Sequence, residues 1–250
     1  MVMPGSSDTP AGALSGMSAL DGPTTSMPCS GRPAPRAAPD GVTPETEALI
    51  RSATRSAAVP FVPEVTLLTA AEPFGLWDRT ACDAPPFWAF PWAGGQGLAR
   101  YILDHPETVA GRDVLDVASG SGLVAVAAAK AGARSVLAGD IDDNALAAIM
   151  LNAAANGVPA VTPRRVDLAA SPAAADVVLA ADVFYQRELA AMALRFLRAA
   201  RRGGADVLAA DPGRAFVPRA SLTALATYQV PVLTVLEDTP VKEVTVYRLR

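Results

Sequence analysis

The chain has 250 residues, of which 51% are apolar, and its formal net charge is −4. This length and apolar content suit one domain with a full hydrophobic core. The negative charge argues against a nucleic-acid-binding surface, because phosphate binding needs clustered cations. The single histidine, His105, excludes a histidine-cluster metal site, and the two cysteines, Cys29 and Cys82, have neither metal-ligand spacing nor a disulfide framework.

Targeting signals are not visible in the sequence. No apolar run reaches the length of a membrane span, and the first residues lack the basic-then-apolar pattern of a secretory leader. Two cysteines without a disulfide pattern suit a reducing compartment. We therefore expect a cytoplasmic monomer that binds neither nucleic acid nor a membrane.

The N-terminal part of the chain is predicted to be a tail followed by an arm. Residues 1–43 are rich in Pro, Gly, Ser, Thr and Ala and cannot bury enough surface to offset their ordering entropy, so we expect disorder. Residues 44–84 are predicted to form a helix-and-strand arm ahead of the core. Thr43 and Pro44 start a helical pattern that runs through 43–59, and residues 62–70 alternate like a strand.

An aromatic block opens the domain that we assign to residues 85–250. It runs from Phe87 to Trp92 and is followed by Gly94, Gly95 and Gln96, directly before a predicted helix. Backbone donors and an amide side chain at a helix N-terminus suit a polar ligand. Two interpretations of the aromatic residues stay open: they pack the helix onto a sheet, or they form a wall of an active site.

The stretch 113–142 has the pattern of one βαβ unit with a nucleoside site. A buried strand leads through Asp116 into the turn 118–122, an Ala-rich helix follows, and a second strand ends at Asp140. Glycines let the backbone approach a ligand, and an acid at the tip of the second strand can accept the ribose hydroxyls. The third glycine of a dinucleotide fingerprint and the lysine of a P-loop are both absent. A nucleoside with a short charged tail remains.

Strands and helices alternate through the rest of the domain, which predicts a doubly wound α/β sheet. Helices are predicted at residues 143–155, 186–202 and around 218–227, and a terminal hairpin is expected to place one antiparallel strand. Open α/β sheets bind ligands outside the carboxyl ends of their strands. Acids stand at the predicted strand ends: Asp116, Asp140, Asp167, Asp182 and Asp211.

Several segments resemble a known family. "VLDVASGSG", "GDID" and "ALAAIMLNAAANGV" are similar to class I S-adenosylmethionine-dependent methyltransferases, in the group that includes ribosomal-protein large-subunit methyltransferases. More narrowly, "PFWAFPWAGGQGLARYILDHP", "DVFY" and "DPGRAFVP" resemble the lysine methyltransferases that act on the electron transfer flavoprotein β subunit. The resemblance covers residues 46–250 and implies a Rossmann-like, mostly parallel sheet with a C-terminal antiparallel strand. One departure is Ala118, where many class I enzymes carry glycine.

The resemblance also implies site residues and S-adenosylmethionine as the cofactor. Asp116 is expected near the methionine amino group, Asp140 at the ribose hydroxyls, and Asp167 with Leu168 at the adenine. The full set of implied cofactor-binding residues is Asp116, Ala118, Gly120, Gly122, Asp140, Ile141, Asp167, Leu168 and Gln96. Asp182 and Tyr185, from the D-x-x-Y pattern, are expected to face the methyl-accepting amine together with Trp92.

By resemblance, the expected activity is N-methylation of lysine side chains in a protein, either a flavoprotein β subunit or a ribosomal protein. A lysine ammonium has an ordinary pKa of about 10.4 and is unreactive at neutral pH, so its burial beside Trp92, Tyr185 and the cationic cofactor is expected to lower that pKa. Asp182 favours the charged amine and is therefore assigned to docking and orientation. Two alternatives stay open: a small-molecule N-methyltransferase acting on a nicotinamide-like amine, and a non-catalytic binding module.

Overall fold

The computed structural model describes residues 42–70, 76, 86–232, 234 and 239–250. The expected disorder of residues 1–43 lies outside the described residues except for Val42 and Thr43, as do Cys29, Cys82 and most of 71–85. No helix in the described ranges is long and apolar enough to cross a membrane. Within the same ranges, no group of three or more His, Cys, Asp or Glu side chains could hold a metal ion.

The helices are α1 (Pro44–Ala53), α2 (Ala93–Asp104), α3 (Leu123–Lys130), α4 (Asp143–Ala155) and α5 (Arg187–Arg202). The strands are β1 (Thr54–Val59), β2 (Val62–Ala70), β3 (Asp113–Val117), β4 (Ser135–Asp140), β5 (Val161–Arg165), β6 (Val177–Ala181), β7 (Asp206–Asp211), β8 (Leu222–Pro231) and β9 (Val241–Leu249). Short 3-10 turns lie at Phe87–Ala89, Pro106–Thr108 and Arg219–Ser221.

Within the described residues, seven strands form one sheet in the order β5-β4-β3-β6-β7-β9-β8. The strands from β5 to β7 pair in parallel, and β9 is antiparallel to both of its neighbours. The chain builds outward from β3 to β5 and then crosses over to β6, so the strand order reverses between β3 and β6. That switch point is where open α/β sheets bind ligands. The predicted doubly wound sheet with a C-terminal antiparallel strand is confirmed.

Helices cover both faces of the sheet, which explains why its central strands are apolar on both sides. Val114 and Leu179 belong to the buried cluster that includes residues of α2, α3 and α4. Leu115 and Val178, their neighbours in sequence, belong to the cluster that includes Phe196 of α5. Successive side chains of a strand point to opposite faces, so the two clusters form the two layers of the core.

Two predicted helices were wrong over part of their length. The helix that starts at Thr43 ends at Ala53, and Thr54–Val59 instead forms a hairpin with β2. The hydroxyl of Thr54 donates to the carbonyl oxygen of Ile50 at 2.6 Å and occupies one of the last helical acceptors. The helix predicted around 218–227 is a short turn followed by β8, because pairing with β9 along Leu222–Pro231 overrides the local helical spacing.

Two asparagine side chains attach the β1–β2 hairpin to α4. Asn152 is fully buried; its carboxamide oxygen accepts the N–H of Leu68 at 2.8 Å, and its amide nitrogen donates to the carbonyl oxygen of Ser121 at 2.8 Å. Asn156 accepts the N–H of Thr66 at 3.0 Å and donates to the carbonyl oxygen of the same residue. The two carboxamides therefore make the hydrogen bonds to the backbone of β2 that a neighbouring strand would otherwise make. Asn152 also bonds the turn after β3 through Ser121.

We expect Asn152→Leu to lower the free energy of unfolding by about 2–4 kcal/mol, because two buried backbone groups lose their partners. Urea unfolding followed by far-UV circular dichroism measures the change. Gln229→Leu serves as the control, since Gln229 is exposed and its carboxamide donates to the exposed Glu243. Equal stability of the two variants would contradict the attachment role of Asn152.

Candidate active site

The turn between β3 and α3 consists of residues 118–122 and has an unusual backbone. Ala118, Gly120 and Gly122 have φ angles of +50°, +53° and +80°. This left-handed conformation favours glycine, which accounts for the glycine that many class I enzymes carry at the position of Ala118. A Cβ atom at Gly120 would lie no closer than 3.7 Å to a neighbouring atom, whereas one at Gly122 would lie 3.2 Å from Ile149. The turn therefore has free space beside Gly120, whereas Ile149 packs tightly against Gly122.

Asp140, at the end of β4, ties that strand to the glycine turn. Its carboxylate accepts the backbone N–H groups of Gly120 at 2.8 Å, Ile141 at 2.7 Å and Asp142 at 3.1 Å. Burial raises the pKa of Asp140, and these N–H groups oppose that rise. The next residue, Ile141, is 55% exposed, which is unusual for a large apolar side chain. An acid and an exposed apolar surface therefore lie side by side at the rim of the turn.

Asp116 lies beneath the turn and is 1% exposed. The Ser119 hydroxyl donates to its carboxylate. Burial raises the pKa of Asp116 to about 7, and the negative charge of Asp140 adds to the effect. Asp116 and Asp140 thus form a pair of acids on neighbouring strands, one below the turn and one at its edge.

Asp167 and Leu168 follow β5 beside the end of β4. The N–H of Val166 donates to the carbonyl oxygen of Asp140 at 2.9 Å, which brings this segment next to the acid of β4. Asp167 is exposed and accepts the N–H of Ala169 at 2.8 Å, while Leu168 is half-buried. The structure therefore brings the predicted adenine residues to the same edge as Asp140 and Ile141.

Asp182 follows β6 and is held by the N-terminus of α2. Its Oδ2 atom accepts the N–H of Gly95 at 2.9 Å, and its backbone has a φ of +56°. A Cβ atom at Gly94 would lie 2.6 Å from the same Oδ2, so the carboxylate fits only because residue 94 has no side chain. Burial raises the pKa of Asp182 to about 6, against the lowering effects of Arg214 and the α2 amides. A buried carboxylate therefore lies at the edge that also carries Asp116 and Asp140.

The aromatic block joins the two sides of this edge. The ring of Phe87 lies 5.8 Å from that of Trp92 and 5.6 Å from that of Tyr185, between centroids. Trp92 donates its indole N–H to the carbonyl oxygen of Phe87 at 2.9 Å. That same oxygen is the atom closest to the open face of Gly120. Phe87, Trp92 and Tyr185 are only partly buried, and Phe87 lies beside both the glycine turn and Tyr185.

Other members of the block pack the core. Trp88 and Phe90 are 1% and 3% exposed and belong to the apolar cluster under α2. The packing interpretation therefore applies to these two residues, and the active-site wall stays a prediction for the partly buried members of the block. Tyr185 is half-buried, and burial together with the charge of Asp140 raises its pKa.

Gln96 does not face the open edge. It is 1% exposed; its amide nitrogen donates to the carbonyl oxygen of Pro91 at 2.9 Å, and its oxygen accepts the N–H of Phe61 at 3.3 Å. These contacts connect α2 to the aromatic block and to the β1–β2 hairpin. The carboxamide of Gln96 thus bonds protein groups inside the core, and its expected role in cofactor binding stays a prediction.

Comparisons with known proteins agree with this geometry. The model of the ribosomal protein L11 methyltransferase family matches residues 101–205. The electron transfer flavoprotein beta subunit lysine methyltransferase of Danio rerio is 37% identical over 180 residues, which cover 68% of this chain and 69% of that protein. The Homo sapiens protein of the same name is 38% identical over 144 residues, which cover 55% of this chain and 54% of that protein.

A solved structure supports the fold alone. It is the crystal structure of a Pyrococcus horikoshii protein named as an RNA methyltransferase. The superposition has a TM-score of 0.51 at 16% sequence identity, and it covers 66% of this chain and 89% of that chain. The family assignment rests on the sequence relatives. The chain belongs to the electron transfer flavoprotein β-subunit lysine methyltransferase family, whose members are S-adenosylmethionine-dependent protein-lysine N-methyltransferases.

Proposed function

We propose that this chain methylates a lysine of the β subunit of an electron transfer flavoprotein. The observation that carries the proposal is the position of Asp182, a buried carboxylate at the switch-point edge that the cofactor acids share. A carboxylate there attracts an ammonium group and holds it beside the aromatic residues. The names of the relatives supply the protein target. A ribosomal protein is the second candidate, since the L11 methyltransferase model matches residues 101–205.

The residues at the glycine turn fit S-adenosylmethionine. We assign the ribose hydroxyls to Asp140, the adenine ring to the exposed side chain of Ile141 with Leu168 and Asp167, and the amino-acid end to the turn above Asp116. The open face of Gly120 leaves room for close approach of the ligand. When bound, the cofactor supplies a methyl group already activated by its sulfonium charge. Alignment of the acceptor is therefore the main task of the protein.

The acceptor side is assigned to Asp182, Tyr185 and Trp92. The Asp182 carboxylate docks the lysine ammonium, and the faces of Trp92 and Tyr185 contact its methylene chain and its charge. Their apolar surfaces exclude water and favour the neutral amine, whereas Asp182 favours the charged one. Asp182 therefore orients the nitrogen, and the aromatic walls lower the pKa of the ammonium, so that its proton is released to bulk solvent before the methyl group is transferred.

We expect Asp140→Ala to weaken cofactor binding by at least about tenfold, because the variant loses the acceptor of the ribose hydroxyls and releases three N–H groups of the turn. Isothermal titration calorimetry with S-adenosylhomocysteine measures the change. Asp143→Ala is the matched control, since Asp143 is a nearby acid whose carboxylate pairs with Arg165 at the surface. Equal affinity of the two variants would count against the ribose assignment.

The target is tested with labelled cofactor. Purified flavoprotein β subunit, ribosomal protein L11 and nicotinamide are incubated separately with the enzyme and methyl-labelled S-adenosylmethionine. We expect label in the β subunit, at a lysine whose replacement by arginine abolishes incorporation. Label only in L11 selects the second candidate, and label only in nicotinamide overturns protein methylation by this chain.

Other expectations stay predictions. These are a monomeric state, a cytoplasmic location, the absence of nucleic-acid and membrane partners, and the division into a tail, an arm at 44–84 and a domain at 85–250. Size-exclusion chromatography with light scattering tests the first of them.

A further inference from the structure

The ends of β6 and β7 carry two acids that share one arginine. Asp182 follows β6, Asp211 ends β7, and Arg214 lies in the loop after β7. Asp211 is fully buried, and the Asp182 side chain is 15% exposed. One oxygen of each carboxylate, Oδ1 of Asp182 and Oδ2 of Asp211, is buried without a hydrogen bond. Two guanidinium groups act on Asp211, since the charges of Arg214 and Arg219 both oppose the rise of its pKa that burial causes.

The backbone of Arg214 is anchored, but its side chain is not bonded directly to Asp182. The N–H of Arg214 donates to Oδ1 of Asp211 at 2.6 Å, which fixes the start of the side chain. The Nη2 atom lies 3.7 Å from Oδ1 of Asp182, close enough for an ion pair but too far for a hydrogen bond. The Arg214 side chain is 28% exposed. A cation that donates a hydrogen bond to Oδ1 of Asp182 would compete with this longer contact.

We infer that Arg214 is the resident counter-ion of Asp182 and that the acceptor ammonium displaces it, with the guanidinium turning towards the unbonded oxygen of Asp211. This inference rests on the proposed role of Asp182 as the acceptor-docking acid. The exchange brings one more positive charge to two buried carboxylates, and Oδ1 of Asp182 and Oδ2 of Asp211 then each have a cation beside them. Arg214 is a positioning residue in this scheme, since it acts through Asp182.

The charges around Asp182 support a counter-ion role. Arg214 is the cation that faces it, Asp211 faces it from β7 with a like charge, and α2 contributes the N–H groups of Gly94 and Gly95. Burial, the largest effect, raises the pKa of Asp182 to about 6, and Arg214 is the largest effect in the opposite direction. Without Arg214, the empty site would favour the protonated acid, which cannot attract an ammonium group.

The first test is the titration of Asp182 in the enzyme without acceptor. Aspartate carboxyl groups are labelled with carbon-13, and the Asp182 signal is assigned with Asp182→Asn. We expect Arg214→Met to raise the pKa of Asp182 by about one unit, and Arg214→Lys to leave it close to the wild-type value. An equal pKa of Asp182 in the wild type and both variants would overturn the counter-ion role. Circular dichroism checks that each variant is folded.

The second test follows the exchange with n-butylamine, which copies the lysine side chain, while S-adenosylhomocysteine fills the cofactor site. We expect n-butylammonium to shift the carboxyl signal of Asp182 and the side-chain nitrogen signal of Arg214, and n-butanol to shift neither. A shift at Asp182 with an unchanged Arg214 overturns the exchange alone. If the carboxyl signal of Asp182 does not change, both the acceptor role of Asp182 and the exchange are overturned. The protein target is decided separately, by the labelling experiment.

The pH profile of methyl transfer gives an independent readout. With the cofactor saturating, the acid limb of kcat/KM is expected to move upward by about one pH unit in Arg214→Met and to stay in place in Arg214→Lys. Saturation with cofactor is needed because Asp116, with a pKa of about 7, also titrates in this range. An acid limb that stays in place in Arg214→Met would contradict the inference.

Discussion

Asp182→Asn is expected to lower methyl transfer to lysine by about 100-fold or more while cofactor binding survives. The amide has no charge to attract the acceptor ammonium, and misplacement of a reacting group by about 1 Å costs on the order of 100-fold. The backbone of Asp182 has a φ of +56°, which asparagine tolerates as well as aspartate does, so the substitution does not add strain there. Single-turnover kinetics and calorimetry with S-adenosylhomocysteine measure the two effects.

Asp176→Asn is the matched control for this variant. Asp176 precedes β6 at the opposite end of the same strand, where its carboxylate pairs with Arg134 at the surface. Turnover close to wild type is expected for Asp176→Asn. Unchanged turnover in Asp182→Asn would remove Asp182 from the acceptor site.

Gly94→Ala is expected to reduce methyl transfer strongly and to destabilise the fold by about 1–3 kcal/mol through overpacking. The new Cβ atom would lie 2.6 Å from Oδ2 of Asp182 and 2.9 Å from the carbonyl oxygen of Ala210. The second atom belongs to the backbone of β7 and cannot yield, so the Asp182 carboxylate or the start of α2 must move. Activity assays at 10 °C, together with thermal unfolding, separate loss of function from loss of fold.

Two further alanine variants on α2 identify the cause. Gly97→Ala would place a Cβ atom 2.6 Å from a methyl group of Val244, away from Asp182, so we expect a similar loss of stability with activity largely kept at low temperature. In Gly95→Ala the new Cβ atom would lie 3.7 Å from Leu123, which is an ordinary contact, and the backbone N–H that donates to Asp182 is kept. We therefore expect this variant to gain up to about 1 kcal/mol of stability from the higher helix propensity of alanine. Equal activity in Gly94→Ala and Gly97→Ala would show that contact with Asp182 is not the decisive effect.

The helices and strands of the central domain were largely predictable from local patterns. The capping pattern at Thr43 and the buried apolar runs of β3, β6 and β7 correspond to observed elements. The errors lie where pairing partners are distant in sequence. The first part of β8 was predicted as a helix, because the strand that stabilises β8 by pairing, β9, contributes nothing to the local spacing of apolar residues. The first helix was extended through β1 for the same reason, since its partner is β2.

Some side chains could not be assigned from sequence, because their partners are set by the fold. Gln96 had the position expected of a ligand-binding amide, yet its carboxamide bonds groups of the aromatic block and the hairpin. Asn152 interrupts the apolar run of α4 and Asn156 caps the helix four residues later, and a polar residue within such an apolar run was a signal of an attached segment. The pairing of Arg214 with Asp182 had no sequence signal, since it depends on the adjacency of β6 and β7.

The sequence by itself determined a site for a nucleoside with a short charged tail, because the glycine turn and the acid at the end of β4 are local signals whose chemistry follows from residue type. The family resemblance of these segments and of the D-x-x-Y pattern then implied S-adenosylmethionine and a methyl-accepting amine. Tertiary structure decided the surroundings of Asp182. The N-terminus of α2 holds Asp182, Gly94 leaves the space for its carboxylate, and Arg214 supplies a nearby positive charge. These contacts join segments that are distant in sequence, and the free energy of a buried charge depends on the neighbours that the fold places around it.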